Sequence, residues 1–287
     1  MYSNIMLVLN NLETDPKINT TDTAIKGLRQ LCLDDFGVVL LNMPVKEYPK
    51  LSSLLPKMAD AKVQKSWTGA TGLVLLQLSL NFTRMMQYRK TELTGTGLKN
   101  QRILDYGCGY GRFLRLMSYY ADSNQLFGCD PWDKSIQICK EDGINCQLDI
   151  TDYLPTSLPY EEKSLDFIFA FSIFTHTSYR ATQTALNALY GVAKKGGILA
   201  ITIRPSEYWT LHAGLSDVER QSLVDDHNNK GYAFKPHNRA PVDGDITYGD
   251  TSMPIHMISQ ISPNWKMLSY DRTIADPYQI IVFLEAR

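Results

Sequence analysis

The chain has 287 residues, 44% hydrophobic and 21% charged, with 29 Lys and Arg against 30 Asp and Glu. This is an ordinary globular composition, long enough to bury a core without a disulfide or metal staple. A net charge of -1, with Lys194-Lys195 and Arg89-Lys90 as isolated basic pairs, excludes the clustered cationic surface on which nucleic-acid binding rests. Cys32, Cys108, Cys129, Cys139 and Cys146 show no CxxC spacing, which points to reduced thiols rather than a disulfide framework or zinc site. The start has no basic segment before its short apolar run, and no stretch approaches the roughly 18 apolar residues of a membrane span. A cytoplasmic protein without a membrane partner is expected.

In chain order, residues 1–65 read as an accessory segment. Its apolar runs at 5–9 and 36–41 predict short strands, and the spacing of Ala24, Leu28 and Leu31 predicts a helix over 23–33. Residues 66–72 form a Gly-rich loop, and 73–88 a helix apolar on more than one face, hence buried. From 102 the rhythm alternates. Strands are expected at 102–106, 126–129, 145–148, 165–171 and 198–203. Helices are expected at 112–120, 133–140 with Asp133 as N-cap, and 179–194. Lys194-Lys195 and Gly196-Gly197 read as the last turn and stop of that third helix. Residues 206–252 are polar and interrupt the rhythm. Strands at 265–270 and 279–285, joined by a turn containing Pro277, close the chain. Strands alternating with helices mean an α/β fold with a parallel sheet.

The strongest motif is Gly107-Cys108-Gly109-Tyr110-Gly111-Arg112, directly after the strand that carries Asp105. Glycines there let the backbone turn sharply and approach a ligand. A dinucleotide fingerprint, GxGxxG, would put its third glycine at 112, where Arg112 stands. Asp105 would repel a pyrophosphate but suits a ligand that carries an ammonium group. Asp130 ends the second strand, where an acid can accept hydrogen bonds from ribose hydroxyls. Trp132 can pack on an adenine face, and Asp149, at the end of the third strand, can accept from an adenine amino group.

The segments ILDYGCGYGR (103–112), LFGCDPWD (126–133), QLDI (147–150), LDFIFAFSIFTHT (165–177) and KKGGILAITI (194–203) resemble, in order, the motifs of class I S-adenosylmethionine (SAM)-dependent methyltransferases. The resemblance covers residues 66–204 and implies a Rossmann-like, seven-stranded, mostly parallel sheet with an antiparallel last strand. Residues 1–65, which have no counterpart in that family, are expected as an accessory segment before a methyltransferase domain at 66–287, and 206–256 falls where the family often builds a substrate lid. The resemblance implies that the glycine loop and Asp105 face the methionine moiety of SAM, that Asp130 holds ribose, and that Asp149 lies near adenine. Trp67 and Gly69 resemble a loop that closes over the cofactor in some members. The cofactor set expected is therefore Trp67, Gly69, Asp105, Gly107, Cys108, Gly109, Gly111, Arg112, Asp130, Pro131, Trp132, Asp149, Ile150 and Phe171. S-adenosylhomocysteine (SAH) would be the product.

The expected partner is a small-molecule methyl acceptor. Strand four ends Phe171-Ser172, without the Asn/Asp-Pro-Pro-Tyr motif of amino-methylating nucleic-acid enzymes and without a carboxylate for a catalytic magnesium. Metal-independent transfer to oxygen or nitrogen remains. His176, just past strand four, is the candidate base, or else braces the following helix start. Tyr208, Tyr232, Phe234, His237, Tyr248, Asp250 and His256 are candidate acceptor-lining residues. Two other readings stay open: a nicotinamide-dependent oxidoreductase, for which Tyr190 and Lys194 have Tyr-x-x-x-Lys spacing, and a non-catalytic SAM-binding subunit.

Overall fold

The computed structural model describes residues 3–287. The chain divides into two compact units, Met1–Ile150 and Thr151–Arg287.

The first unit opens with four helices: α1 (Ser3–Thr14), α2 (Thr21–Leu28), α3 (Leu33–Asn42) and α4 (Pro49–Leu54). They bury Ile5, Leu9, Leu28, Phe36, Leu40 and Leu51 in one core cluster. The strands expected at 5–9 and 36–41 are therefore helical. Ile5, Leu9 and Leu12 recur at helical spacing, but a five-residue apolar run alone does not separate a buried strand from a buried helix. The helix expected at 23–33 begins at a Thr20–Thr23 capping box and stops at Leu28. Next, α5 (Ala61–Thr68) starts where the Asp60 carboxylate accepts from Lys62 N–H at 2.7 Å, and it ends at Gly69, φ 79°. Residues 66–68, expected in a loop, are thus its last turn. The long α6 (Gly72–Thr94) buries Leu75, Leu76, Leu80, Phe82 and Met86 on one side only. Leu73, Val74 and Tyr88 are exposed, so the helix is not buried all round as expected.

The same unit carries β1 (Ile103–Tyr106), β2 (Leu126–Asp130) and β3 (Gln147–Ile150), parallel, with α7 (Arg112–Met117) and α8 (Asp133–Glu141) between them. The expected helix over 112–120 is shorter because the chain leaves it after Met117, and Tyr119 packs edge-on against Phe36. Trp132, not Asp133, is the N-cap of α8; Asp133 is its first helical residue and accepts from Lys134 N–H. Arg115 on α7 is buried. Its guanidinium donates to the carbonyls of Lys57 and Tyr110 and lies 3.0 Å from the Asp142 carboxylate, joining three segments.

The second unit holds β4 (Leu165–Ala170), α9 (Tyr179–Val192), β5 (Ala193–Ile203), α10 (Tyr208–Leu211), α11 (Asp217–Lys230), β6 (Ala233–Pro236), β7 (Gly249–Ser252), α12 (Met257–Ile261), β8 (Trp265–Thr273) and β9 (Asp276–Ala286). Lys194–Gly197, read as a helix stop, belongs instead to β5. Ala193 pairs with Leu165 and Ile198 with Phe167, so the residues between form a bulge. Gly196 turns with φ 75°, and a Cβ on Gly197 would meet the Lys194 and Leu165 carbonyl oxygens at 2.8 and 3.0 Å. Lys194 is accordingly not a helix-end cation but an ion-pair partner of Asp166 at 2.6 Å. Pro277 lies within β9 rather than in the preceding turn.

The large sheet has the order β3-β2-β1-β4-β5-β9-β8. Strand β9 is antiparallel to both β5 and β8, which agrees with the expected seven-stranded, mostly parallel Rossmann-like sheet. Strands β6 and β7 form a separate antiparallel pair.

Candidate functional site

In the first unit the site is built where β1 and β2 end. Gly107, Gly109 and Gly111 all have positive φ (77°, 55° and 74°), so the loop turns at every second residue. The loop is tied down by hydrogen bonds from Gly107 and Cys108 N–H to the Cys129 carbonyl, at 2.8 and 3.0 Å. Cys108 is buried beneath it with Leu114, Ile136 and Cys139. Gly111 is required by packing, since a Cβ would sit 2.7 Å from Ile144 Cδ1 and 3.1 Å from Cys139 Sγ. Gly109 is different: an added Cβ would meet only the Trp67 ring, at 3.7 Å.

Two carboxylates flank this loop. Asp130 accepts from Gly109 N–H at 3.0 Å and from Trp132 N–H at 2.9 Å. Burial pushes its pKa up, and hydrogen bonds from Trp132, Gly109 and Ser135 pull it back. Asp105 is 2% exposed, and its Oδ2 is buried without a hydrogen-bond partner. Burial raises its pKa well above the usual carboxylate range, Arg112 opposes this, and Asp130 adds to it. A buried carboxylate oxygen without a donor is a costly arrangement, which a ligand donor would relieve.

The aromatic residues gather over the same loop. Trp67, from the last turn of α5, stacks on Trp132 with ring centroids 4.9 Å apart and packs near Tyr110 at 5.8 Å. Trp132 keeps 43% of its surface exposed. Gly69 caps α5 in the open, Pro131 is half-buried, and Arg112 lies over the Phe113 ring at 4.3 Å. At the end of β3, Asp149 accepts from the Gln147 side chain at 3.0 Å, and Ile150 is exposed.

In the second unit a different cluster centres on Asp250 of β7. Its Oδ1 accepts from Arg204 at 2.7 Å and from the Tyr208 hydroxyl at 2.9 Å. Its Oδ2 faces Nε2 of His237 at 2.8 Å and Nε2 of His212 at 3.2 Å. Burial alone would push the Asp250 pKa up, but hydrogen bonds from His237, Arg204 and Tyr208 outweigh it and hold the carboxyl well below the usual range. The segment after β4 is clamped to β7, with Gly249 N–H donating to the His176 carbonyl and Thr251 N–H to the Thr175 carbonyl. His176 lies 2.8 Å through Nδ1 from the Gly249 carbonyl and 3.1 Å through Nε2 from Arg204, and it stacks on Tyr248. Burial, reinforced by Arg204, lowers its pKa to about 4, so the ring is neutral at pH 7.

Tyr208, His237, Tyr248, Asp250 and His176 are thus brought together as candidate residues. Tyr232 is not among them: its hydroxyl donates to the Thr177 carbonyl and contacts Thr182, bracing α9. His256 caps α12 on the surface, Phe234 is half-buried on β6, and Phe171 follows β4, half-buried. Sequence reasoning missed Arg204 and His212. Arg204 carried one usable signal, its place directly after β5; His212 carried none, because only the folded chain brings it to Asp250.

Residues 104–201 match a family described as a methyltransferase domain. Among solved structures, the PH0226 protein of Pyrococcus horikoshii OT3 is similar at 13% identity and TM-score 0.55, with 79% of this chain and 97% of that chain covered. A SAM-dependent methyltransferase from Clostridium acetobutylicum ATCC 824 is similar at 12% identity and TM-score 0.52, with 79% and 97% covered. At these identities the structural likeness speaks to the fold alone. The chain is thus similar over residues 104–201 to a methyltransferase domain, and its sheet has the Rossmann-like fold of the solved structures it resembles.

Proposed function

We propose that this chain transfers the methyl group of SAM to an oxygen or nitrogen of a small molecule, without a metal, in the cytoplasm. The observation that carries the proposal is the donor-less, buried Oδ2 of Asp105 beside a loop that turns at three glycines. That oxygen fits the ammonium of a methionyl group and repels a diphosphate. Asp130 has two carboxylate oxygens at the end of β2 for ribose hydroxyls, Trp132 an exposed face for adenine, and Asp149 an acceptor for its amino group. Gly69, Pro131, Ile150 and Phe171 complete the expected surroundings.

SAM supplies a methyl already activated by its sulfonium, so the protein's work is to position the acceptor, exclude water and remove a proton where the acceptor carries one. Positioning can contribute roughly 7–11 kcal/mol of the barrier, against a few kcal/mol for a general base worth about 10²–10⁴-fold. The Asp250 cluster, drawn largely from the segment 206–256 with Arg204 just before it, is the acceptor-handling region, and 1–65 is an accessory helical segment. The near-neutral chain and the five free cysteines fit a small acceptor and a reducing compartment.

The oxidoreductase reading loses its main support. Tyr190 donates its hydroxyl proton to the Arg287 carbonyl, and Lys194 pairs with Asp166, so the two are separately engaged. A thermal-shift assay tests the proposal: SAM and SAH should each raise Tm, and NADH should not. A shift with NADH alone would reverse the assignment.

A further inference from the structure

We propose that α6 carries a dimer interface, on which a second copy of this chain docks its own α6 antiparallel about a two-fold axis at Asn81. The interface lies in the first unit and is independent of the methyl-transfer reading.

Helix α6 is apolar on two faces, and its own chain covers one of them. Leu75, Leu76, Leu80, Phe82 and Met86 are buried. Leu76 and Leu80 share a cluster with Leu33 of α3 and Leu116 of α7. On the other face Leu73 is 66% exposed, Val74 63%, Leu78 38% and Tyr88 64%, and Met85 is half-buried. Val74, Leu78, Asn81, Met85 and Tyr88 follow one another at steps of 4, 3, 4 and 3 residues, which keeps them in one stripe along the helix. The stripe spans about 21 Å. Such a face, apolar and open to water, marks an interaction site.

Pattern and charge select a second copy as the occupant. The stripe reads the same in both directions: apolar Val74 and Leu78 precede Asn81, and apolar Met85 and Tyr88 follow it at matching intervals. Reversed about Asn81, it brings Val74 of one copy opposite Tyr88 of the other, Leu78 opposite Met85, and Asn81 opposite Asn81. This is the self-complementarity that a two-fold contact requires. An amide carries both donors and an acceptor, so two Asn81 side chains can satisfy each other. A lone polar residue in an apolar seam also fixes its register. The cations of α6 are engaged within the chain: Arg84 pairs with Asp34 of α3, Arg89 pairs with Glu92, and Lys90 is buried with Nζ 3.2 Å from Thr96 Oγ1. Two such faces meet without like-charge repulsion, whereas an anionic lipid surface or an acidic partner calls for free cations.

The test uses the full chain. Sedimentation equilibrium should give twice the mass of one chain. Leu78→Glu and Tyr88→Glu should each raise the dimer dissociation constant at least about tenfold, in chains that keep their circular dichroism. A wild-type chain that stays monomeric at every soluble concentration, or a dimer that both variants leave intact, would overturn the proposal. Oxidative crosslinking then reads the geometry in a Cys32→Ser background, which removes the exposed native thiol. Asn81→Cys, on the axis, should form a disulfide with its mate. Val74→Cys should not, because its mate lies about 21 Å away along the helix pair. Crosslinking at both positions would mean parallel helices, crosslinking at neither a different face, and either result refutes the two-fold at Asn81. A wild-type monomer that floats with phosphatidylserine vesicles, and loses this with Leu78→Glu, would assign the stripe to lipid instead.

Discussion

Asp105 is a residue that stability alone would not select. Its carboxyl is buried, donor-less on one oxygen and raised in pKa, first by burial. A carboxylic acid whose folded pKa lies above its unfolded value binds more protons folded than unfolded. Its contribution to stability is present below about pH 4 and is lost as pH rises through the folded value. Asp105→Asn should therefore flatten the alkaline side of the stability profile, read from urea midpoints across pH 4 to 8, while weakening SAM binding; a parallel profile in the variant would show that Asp105 is not the titrating group. His176 has the opposite sign. Its folded pKa of about 4 lies below the unfolded 6.5, so stability is full above that unfolded value and falls as pH drops toward 4. His176→Gln should lessen that acid-side loss, which is at most about 3 kcal/mol for a shift of this size.

At the scale of an element, the glycine loop divides into positions required by packing and positions left open for a ligand. Gly111 has φ 74° and would put a Cβ 2.7 Å from Ile144, so Gly111→Ala should cost about 2–5 kcal/mol from left-handed strain and overpacking. Gly109 has φ 55° and meets only the edge of Trp67, so Gly109→Ala should cost about 1–2 kcal/mol. Its main effect should fall on SAM affinity. Urea unfolding and calorimetry of both variants would separate these; equal stability losses would contradict the division. Arg115 belongs to the same scale, since it satisfies the Lys57 and Tyr110 carbonyls and pairs with Asp142. Arg115→Ala should destabilise by about 3–5 kcal/mol, because it strands a partly buried acid and two carbonyls. A loss below 1 kcal/mol by urea unfolding would show that this junction is not a structural anchor.

At the scale of the whole molecule, the two units carry separate chemistries: a glycine loop with Asp105 and Asp130 in one, the Asp250 cluster in the other. Ligand binding to the folded chain alone adds stability by mass action, about 2.7 kcal/mol at a hundredfold excess over Kd. Added SAH should therefore raise Tm, and the added hydrogen-exchange protection should concentrate at 105–111 and 130–132. Protection confined to residues beyond 150 would place the cofactor elsewhere. No helix among the described residues is long and apolar enough to cross a membrane.

What the chain determines locally was legible without coordinates. Apolar strands such as β2 and β4 and the glycine triplet after β1 are set by near-neighbour chemistry, which a single sequence displays. The fold class followed from their order. Several features were decided only by tertiary packing. The runs at 5–9 and 36–41 became helices because their apolar residues meet a helical core, and Lys194–Gly197 became a bulge because β5 had to stay in register with β4. Trp132 stacks on Trp67, a partner 65 residues away in sequence. The gathering of His176, His212 and His237 depends on Asp250, Arg204 and a backbone carbonyl converging from distant segments. Such convergence leaves no spacing in the sequence, because each contact is made across the fold rather than along the chain.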